Sequence, residues 1–222
     1  MTRILIADDH EVVRSGLRSI IEAQPRWEVV GEATDGKDAV RKAVDLKPDV
    51  AILDYSLPLI NGVEATRQIC ARTPGIEILI FTMHDSETLI FDLLKAGARG
   101  YLLKSDAGRF LITAIESLAA HKPFFTARVS ETLLDSYLTR SGTTECILTP
   151  RERGVIQLIA EGHSNKQIAN ILTISVKTVE THRAAVMRKL NLTSAAGLVR
   201  YAVRNKIIEA VTPLPPSPVL TG

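Results

Sequence analysis

Five short apolar runs, each followed by a stretch with helical spacing, restrict what residues 1–120 can fold into. The runs are Arg3 to Ala7 (RILIA), Trp27 to Ala33 (WEVVGEA), Val50 to Asp54 (VAILD), Glu77 to Phe81 (EILIF) and Gly100 to Leu103 (GYLL). After the first run, Val12, Val13, Leu17, Ile20 and Ile21 mark one face of a helix that Pro25 ends. Further helices are predicted at Gly36 to Asp45, Gly62 to Ala71, Ser86 to Ala96 and Asp106 to Ala120. Strict alternation of this kind builds a parallel sheet with helices on both faces and right-handed crossovers.

In such a sheet the loops beyond the strand tips form the ligand crevice. Asp8 and Asp9 follow the first run, Asp54 ends the third, Thr82 follows the fourth and Lys104 follows the fifth. Taken alone, Asp54 is as consistent with a strand-end cap as with chemistry. With the strands in the order 2-1-3-4-5 these side chains converge, and the crowded carboxylates call for a cation. A hard, oxygen-seeking divalent ion such as Mg2+ suits a site of carboxylates, a backbone carbonyl and water.

The 222-residue length leaves one domain or two open. Charge favours two: residues 1–120 carry 14 Lys/Arg against 18 Asp/Glu, and residues 147–222 carry 10 against 4. A basic second part points to a polyanion, with nucleic acid the leading candidate. Cys70 and Cys146 have neither the density of a secreted scaffold nor the spacing of a zinc site, so both are expected as reduced thiols. No apolar run reaches the roughly 20 residues that cross a bilayer, and the chain enters a strand pattern at once. The expectation is a soluble cytoplasmic protein with no membrane partner.

From His121 to Cys146 the periodicity weakens to an extended piece, a short helix near Arg128 to Leu138 with Val129, Leu133, Leu134 and Tyr137 on one side, and a polar joint, TRSGTTE. Whether that helix is plain packing or shapes an interdomain contact stays open. Thr149-Pro150-Arg151-Glu152 then supplies a capping Thr, a Pro at the first helical position and a Glu three residues after the cap. This helix runs to Ala160 and stops at Gly162. Ser164 and Gln167 repeat the capping box for a helix with Ile168, Ala169, Ile171 and Leu172 as its apolar face. After a turn at Thr173 and Ile174, Ser175 caps a third helix through Leu190. Two helices joined this tightly form a helix-turn-helix, whose second member enters a major groove. Val176, Val179, Val186 and Leu190 are predicted on its core side, and Lys177, Glu180, Thr181, Ala184 and Arg188 on the opposite one. The Pro-rich residues 209–222 are expected to be a disordered tail.

The set IADDH, LDYSLP, TM and K, each at a strand end, resembles the receiver domain of two-component response regulators over residues 1–120. The resemblance implies an α/β flavodoxin-like fold with a five-stranded sheet. It implies Asp54 as phosphoacceptor, with Asp8, Asp9, Asp54 and the Ser56 carbonyl around Mg2+. Lys104 becomes the phosphate-pairing lysine, and Thr82 and Tyr101 become the hydroxyl and aromatic switch residues. Ser56 and His84, two residues beyond Asp54 and Thr82, are expected to flank the phosphate entrance and tune the lifetime of the acyl phosphate. Ser105 stands where many receivers have Pro, so a cis bond there is not assumed.

The stretch Leu148 to Ile208 closely resembles the LuxR-type DNA-binding domain of the NarL/FixJ response regulators. That implies an all-α domain over residues 147–208, joined by the linker 121–146 to the receiver at 1–120. The third helix becomes the recognition helix, and Ser194 to Lys206 a fourth helix that dimerises through Leu198, Tyr201 and Ala202. Glu180, Thr181 and Ala184 are assigned to base edges. Lys166, Lys177, Arg183 and Arg188 are assigned to phosphates, and Thr178 to the same DNA face. The function implied is a transcription regulator phosphorylated by a sensor histidine kinase or a small phosphodonor, acting as a homodimer on a two-fold operator in double-stranded DNA. No turnover is implied beyond Mg2+-dependent self-phosphorylation and self-dephosphorylation. Two other classes compete. An aspartate-nucleophile phosphatase or nucleotide-binding enzyme lacks support, because GxGxxG and GxxxxGK[ST] are absent and the first acids read ADDH rather than DxD. A phosphorylation-independent binding module would leave the set Asp9, Asp54, Thr82 and Lys104 without a use.

Overall fold

The computed structural model describes residues 1–84, 87–139, 148–205 and 207–208. The chain order is β1 (Thr2–Ala7), α1 (Glu11–Glu22), β2 (Trp27–Ala33), α2 (Gly36–Leu46), β3 (Val50–Leu53), α3 (Gly62–Arg72), β4 (Glu77–Thr82), α4 (Glu87–Ala96), β5 (Gly100–Leu103) and α5 (Ala107–Ala119). It continues with β6 (Phe124–Phe125), α6 (Ala127–Thr139), α7 (Pro150–Ala160), α8 (Asn165–Leu172), α9 (Val176–Lys189) and α10 (Ala195–Arg204). Ser86 as a helix start, Lys206 as a helix end, Cys146, most of the polar joint and the residues 209–222 lie outside the described residues.

All neighbouring strands are parallel, in the order β2-β1-β3-β4-β5-β6. The sheet thus has six strands rather than five. The extra one is the extended piece of the linker, which adds to the edge by pairing Gly100 with Phe124 and Tyr101 with Phe125. Lys122-Pro123-Phe124-Phe125 reads as extended from sequence, but nothing local says which edge it joins.

One face of the sheet packs Ile4, Ile6, Ile52 and Leu79 against Leu17 and Ile21 of α1 and Leu111, Ile115 and Leu118 of α5. The other packs Leu5, Ala51, Leu53, Ile78 and Ile80 against α2, α3 and α4. This second core continues without a break into Val155 and Leu158 of α7, Ile168 and Leu172 of α8 and Val179 of α9. A separate small core of Ile156, Val186, Leu198, Ala202 and Ile207 ties α7, α9 and α10 together. In the linker helix Val129 is buried and Leu133 packs on the second core, but Leu134 points outward with 57 % exposure. The predicted linker stripe is therefore narrower than the spacing suggested.

Each helix of the C-terminal part begins as its sequence dictates. Thr149 accepts from the Glu152 N–H while the Glu152 carboxylate accepts from the Thr149 N–H at 2.7 Å. Ser164 and Gln167 form the same reciprocal pair, and Ser175 caps the Thr178 N–H at 3.0 Å. These bonds satisfy N–H groups that a helix start leaves without intrahelical partners. Among the described residues, no helix is long and apolar enough to cross a membrane.

Candidate phosphoacceptor and nucleic-acid sites

The strand order brings the acids together through backbone geometry. The Asp54 N–H donates to the Ala7 carbonyl at 2.8 Å and the Asp8 N–H to the Ala33 carbonyl at 3.1 Å, so both carboxylates leave adjacent strand tips. Gly62 closes the loop beyond Asp54, and its N–H donates to the Tyr55 carbonyl at 2.8 Å. A Cβ at this glycine would sit 2.6 Å from the Asp54 carbonyl oxygen, which is why the loop ends Asn-Gly.

Asp8 and Asp54 are almost fully buried, and Asp9 stays open to solvent. Lys104 Nζ lies 2.7 Å from Asp8 Oδ2 and 3.0 Å from Asp54 Oδ2, bridging the two acids. Burial pushes the Asp54 carboxyl up to about 6, with Asp8 adding to the rise and Lys104 opposing it. Burial pulls the Lys104 ammonium down, but Asp54 and Asp8 outweigh it and the net direction is up. The site is short of positive charge: one ammonium serves two buried carboxylates, and Asp54 Oδ1 is buried without a hydrogen-bond partner.

Carboxylate and imidazole atoms of Asp8, Asp9, His10 and Asp54 fall within 4.8 Å of one another. Oxygen donors at this spacing, with an unsatisfied buried carboxylate oxygen among them, fit a hard divalent cation. His10 Nδ1 stands 3.0 Å from Asp9 and 3.3 Å from Asp8. Arg14 donates to the Asp8 carbonyl at 2.8 Å and to Glu32 at 3.2 Å, fixing the acidic loop from behind. The sequence assigns no role to His10 or Arg14. Each stands close to the acid pair, but no spacing rule singles it out.

Thr82 is fully buried, and its Oγ1 accepts from the His84 N–H at 3.2 Å. Tyr101 is turned inward, and its hydroxyl donates to the His84 carbonyl. Ser56 Oγ and His84 Nε2 lie 2.8 Å apart, joining the loop beyond Asp54 to the loop beyond Thr82. The structure therefore brings Asp8, Asp9, Asp54, Ser56, Thr82, His84, Tyr101 and Lys104 to one end of the sheet. Cys70 is a free thiol in α3.

In α9, Val179 and Val186 are fully buried and Leu190 is half-buried. Val176 is 37 % exposed, so its expected core position is corrected: as the first helical residue it lies beyond the helices that cover the next turn. Lys177, Glu180, Thr181, Ala184 and Arg188 are exposed together, Thr178 and Arg183 are half-buried, and Lys166 is exposed on α8. Thr178 shares its hydroxyl with Ser175 at 2.8 Å and so also serves the cap. The dimer assignment in α10 needs correction. Leu198 and Ala202 are fully buried in the domain's own core with Tyr201 packed on it, so they hold α10 in place. The open side of that helix carries Arg200, Val203 and Arg204.

Residues 4–116 match the family described as response regulator receiver domain, and residues 146–202 match the bacterial regulatory proteins of the luxR family. Among curated proteins, the chain is similar to the oxygen regulatory protein NreC of Staphylococcus epidermidis, 41 % identical with 93 % of this chain and 99 % of the relative covered. NreC of Staphylococcus carnosus is 39 % identical over the same shares. Among solved structures it is similar to the RcsB response regulator of Salmonella typhimurium (29 % identity, TM-score 0.66, covering 90 % of this chain and 96 % of that one). A second RcsB structure, from Salmonella enterica serovar Typhimurium, is bound to promoter rprA in the presence of the phosphomimetic BeF3- (28 % identity, TM-score 0.66, covering 90 % and 97 %).

Proposed function

This chain belongs to the response regulators that join a receiver domain to a DNA-binding domain of the LuxR family, and is a phosphorylation-controlled transcription regulator; we propose that Asp54 is its phosphoacceptor and α9 its DNA-reading element. The observation that carries the first assignment is Asp54 itself, a buried carboxylate with one oxygen on Lys104 and the other without a partner.

Asp54 Oδ1, the oxygen that Lys104 does not hold, is the one that attacks the phosphorus of a donor, either a phosphohistidine of a sensor kinase or a small acyl phosphate. The new P–O bond forms as the bond to the donor breaks, and the donor leaves with the electron pair. Lys104 then exchanges its contact on Asp54 for a phosphoryl oxygen, and Thr82 offers its hydroxyl to another. Asp8, Asp9, Asp54 and the Ser56 carbonyl would hold Mg2+, which supplies charge neutralisation on the phosphoryl oxygens. His84, bonded to Ser56, Thr82 and Tyr101 alike, couples any inward shift of Thr82 to the aromatic ring.

On α9, Glu180 can accept from cytosine N4, and Thr181 and Ala184 can touch a thymine methyl. Lys166, Lys177, Arg183 and Arg188 supply the phosphate contacts that fix its position, with Thr178 beside them. Paired recognition helices suit a homodimer on a two-fold operator. The promoter-bound RcsB structures with BeF3- support the same link between the two domains. The test is mass spectrometry of the chain after incubation with acetyl phosphate and Mg2+, with operator selection from random DNA in parallel. One phosphoryl group on wild type and none on Asp54→Asn is expected, with tighter operator binding only in wild type. Phosphorylation elsewhere, or DNA affinity indifferent to Asp54→Asn, would overturn the reading.

A further inference from the structure

The lysine and the histidine beside the acid pair take different oxygens. Lys104 Nζ holds Asp8 Oδ2 at 2.7 Å and Asp54 Oδ2 at 3.0 Å. Asp8 Oδ1 is left to His10, whose backbone N–H donates to it at 2.9 Å and whose Nδ1 stands 3.3 Å away. The same ring nitrogen is 3.0 Å from Asp9 Oδ1. Asp54 Oδ1 is buried without a hydrogen-bond partner, and one ligand atom from each of Asp8, Asp9, His10 and Asp54 lies within 4.8 Å of the others. His10 occupies the N-cap of α1, a position that favours Ser, Thr, Asp or Asn, yet its side chain makes no capping hydrogen bond. The ring is turned back to the acids instead, about half exposed and next to the solvent-open Asp9, on the side from which an ion can reach the buried pair.

We propose that His10 is a metal ligand, and that its imidazole makes the cation site at Asp54 prefer a divalent first-row transition metal over Mg2+, with Mn2+ the ion its donor set fits best. The proposal rests on the reading of Asp8, Asp9 and Asp54 as a cation site. Three carboxylates less the one ammonium of Lys104 leave two negative charges, which a divalent ion cancels. A neutral imidazole then adds a donor without adding repulsion. Mg2+ gains little from it, because that ion is hard, binds oxygen and gives up its water reluctantly. First-row transition metals gain more from a nitrogen donor, and among them Mn2+ suits a set dominated by carboxylate and carbonyl oxygen. Asp8, Asp9, Asp54, the Ser56 carbonyl and His10 together exceed the four ligands that Zn2+ takes in most protein sites, whereas octahedral Mn2+ accepts them and keeps a position for water or a phosphoryl oxygen.

The test uses the full chain, loaded with Mn2+ or with Mg2+, and compares wild type with His10→Ala and His10→Asn. Pulsed electron paramagnetic resonance of bound Mn2+ should show a nitrogen coupling from an imidazole in wild type that both variants lack. Calorimetric titration should show Mn2+ affinity about tenfold weaker in both variants, the low end of the cost of removing a group that supports a metal, with Mg2+ affinity changed less than about twofold. Asn is a favoured N-cap, so His10→Asn keeps α1 anchored and guards against a result that reflects damage to the fold. A wild type without the nitrogen coupling, a coupling that survives in both variants, or equal losses for the two metals would overturn the proposal, the last by making His10 a support for the acids rather than a ligand. Asp9→Asn tests the premise separately: Mn2+ bound there as tightly as in wild type, or no Mn2+ bound by wild type, would sink the cation site and His10 with it. Mn2+ binding that depends on Asp9 but shows no imidazole would leave the cation site standing and sink the proposal alone.

Discussion

Asp54→Asn should stabilise the metal-free protein at neutral pH, although it removes the group assigned to the chemistry. The side chain is 2 % exposed, and burial pushes its carboxyl up to about 6. In an unfolded chain an aspartate titrates near pH ~3.9. Between those values the folded state binds the proton more tightly than the unfolded one, so stability falls as pH rises through the window and the cost is complete above it. A gap of about two pH units corresponds to roughly 3 kcal/mol. That shift already nets the pull of Lys104 against burial and Asp8, so it bounds the gain from above, and the amide falls short of it because it is not identical to the protonated carboxyl it stands in for. A gain of about 1–2 kcal/mol, or several degrees in melting temperature, is expected. Thermal and urea unfolding of both proteins with chelator, at pH 4, 5 and 7.5, would show a difference that grows with pH and nearly vanishes at pH 4. Adding Mg2+ should favour wild type and close the gap. A variant no more stable than wild type at pH 7.5 in chelator would refute the electrostatic account of the site.

Three further outcomes follow from individual contacts. Ser56→Ala and His84→Ala each break the 2.8 Å link across the phosphate entrance and should shorten the acyl-phosphate lifetime severalfold by admitting water; decay of labelled protein after donor removal measures it, and unchanged lifetimes in both would sink the idea. Arg188→Ala should weaken binding to all DNA sequences and flatten the salt dependence, whereas Glu180→Ala should change which sequence is preferred; equal loss on cognate and random DNA would remove Glu180 from the base-reading set. Thr149→Ala should destabilise the C-terminal domain by about 1 kcal/mol, read from urea unfolding, since it deletes half of a reciprocal cap.

The candidate site around Asp54 is legible in the sequence because topology alone assembles it. Once residues 1–120 are read as alternating strands and helices, Asp8, Asp54, Thr82 and Lys104 must leave the same end of the sheet. The capping boxes at Thr149 and Ser164 are legible for a similar reason, since each is complete within four residues. Periodicity fails where a helix meets more than one neighbour. Val176 keeps the spacing of Val179 and Val186 but stays 37 % exposed at the first turn. Leu198 and Ala202 form an apolar stripe that the sequence cannot allot between the domain's own core and a second subunit, and the core takes it.

The hydrogen bond from Gln157 of α7 to the Leu57 carbonyl in the loop beyond Asp54 is beyond the reach of the sequence for a more basic reason. Gln157 and Leu57 are separated by 100 positions, and no pattern local to either distinguishes this pair from two residues packed in separate domains. Gln157 sits in an otherwise ordinary amphipathic helix, and Tyr55 reads as half of a strand-end loop. Only when the apolar face of α2, α3 and α4 is seen to continue into α7 and α8 does the loop between them become a contact rather than a solvent-facing turn. The linker follows the same logic. Phe125 pairs in register with Tyr101, so the chain leaves the receiver beside the residue proposed as the aromatic switch, while α7 returns to the loop of Asp54. Both ends of the connection therefore touch elements that border the Asp54 site, a route by which the proposed chemistry at a single carboxylate could bear on a domain that begins nearly a hundred residues later.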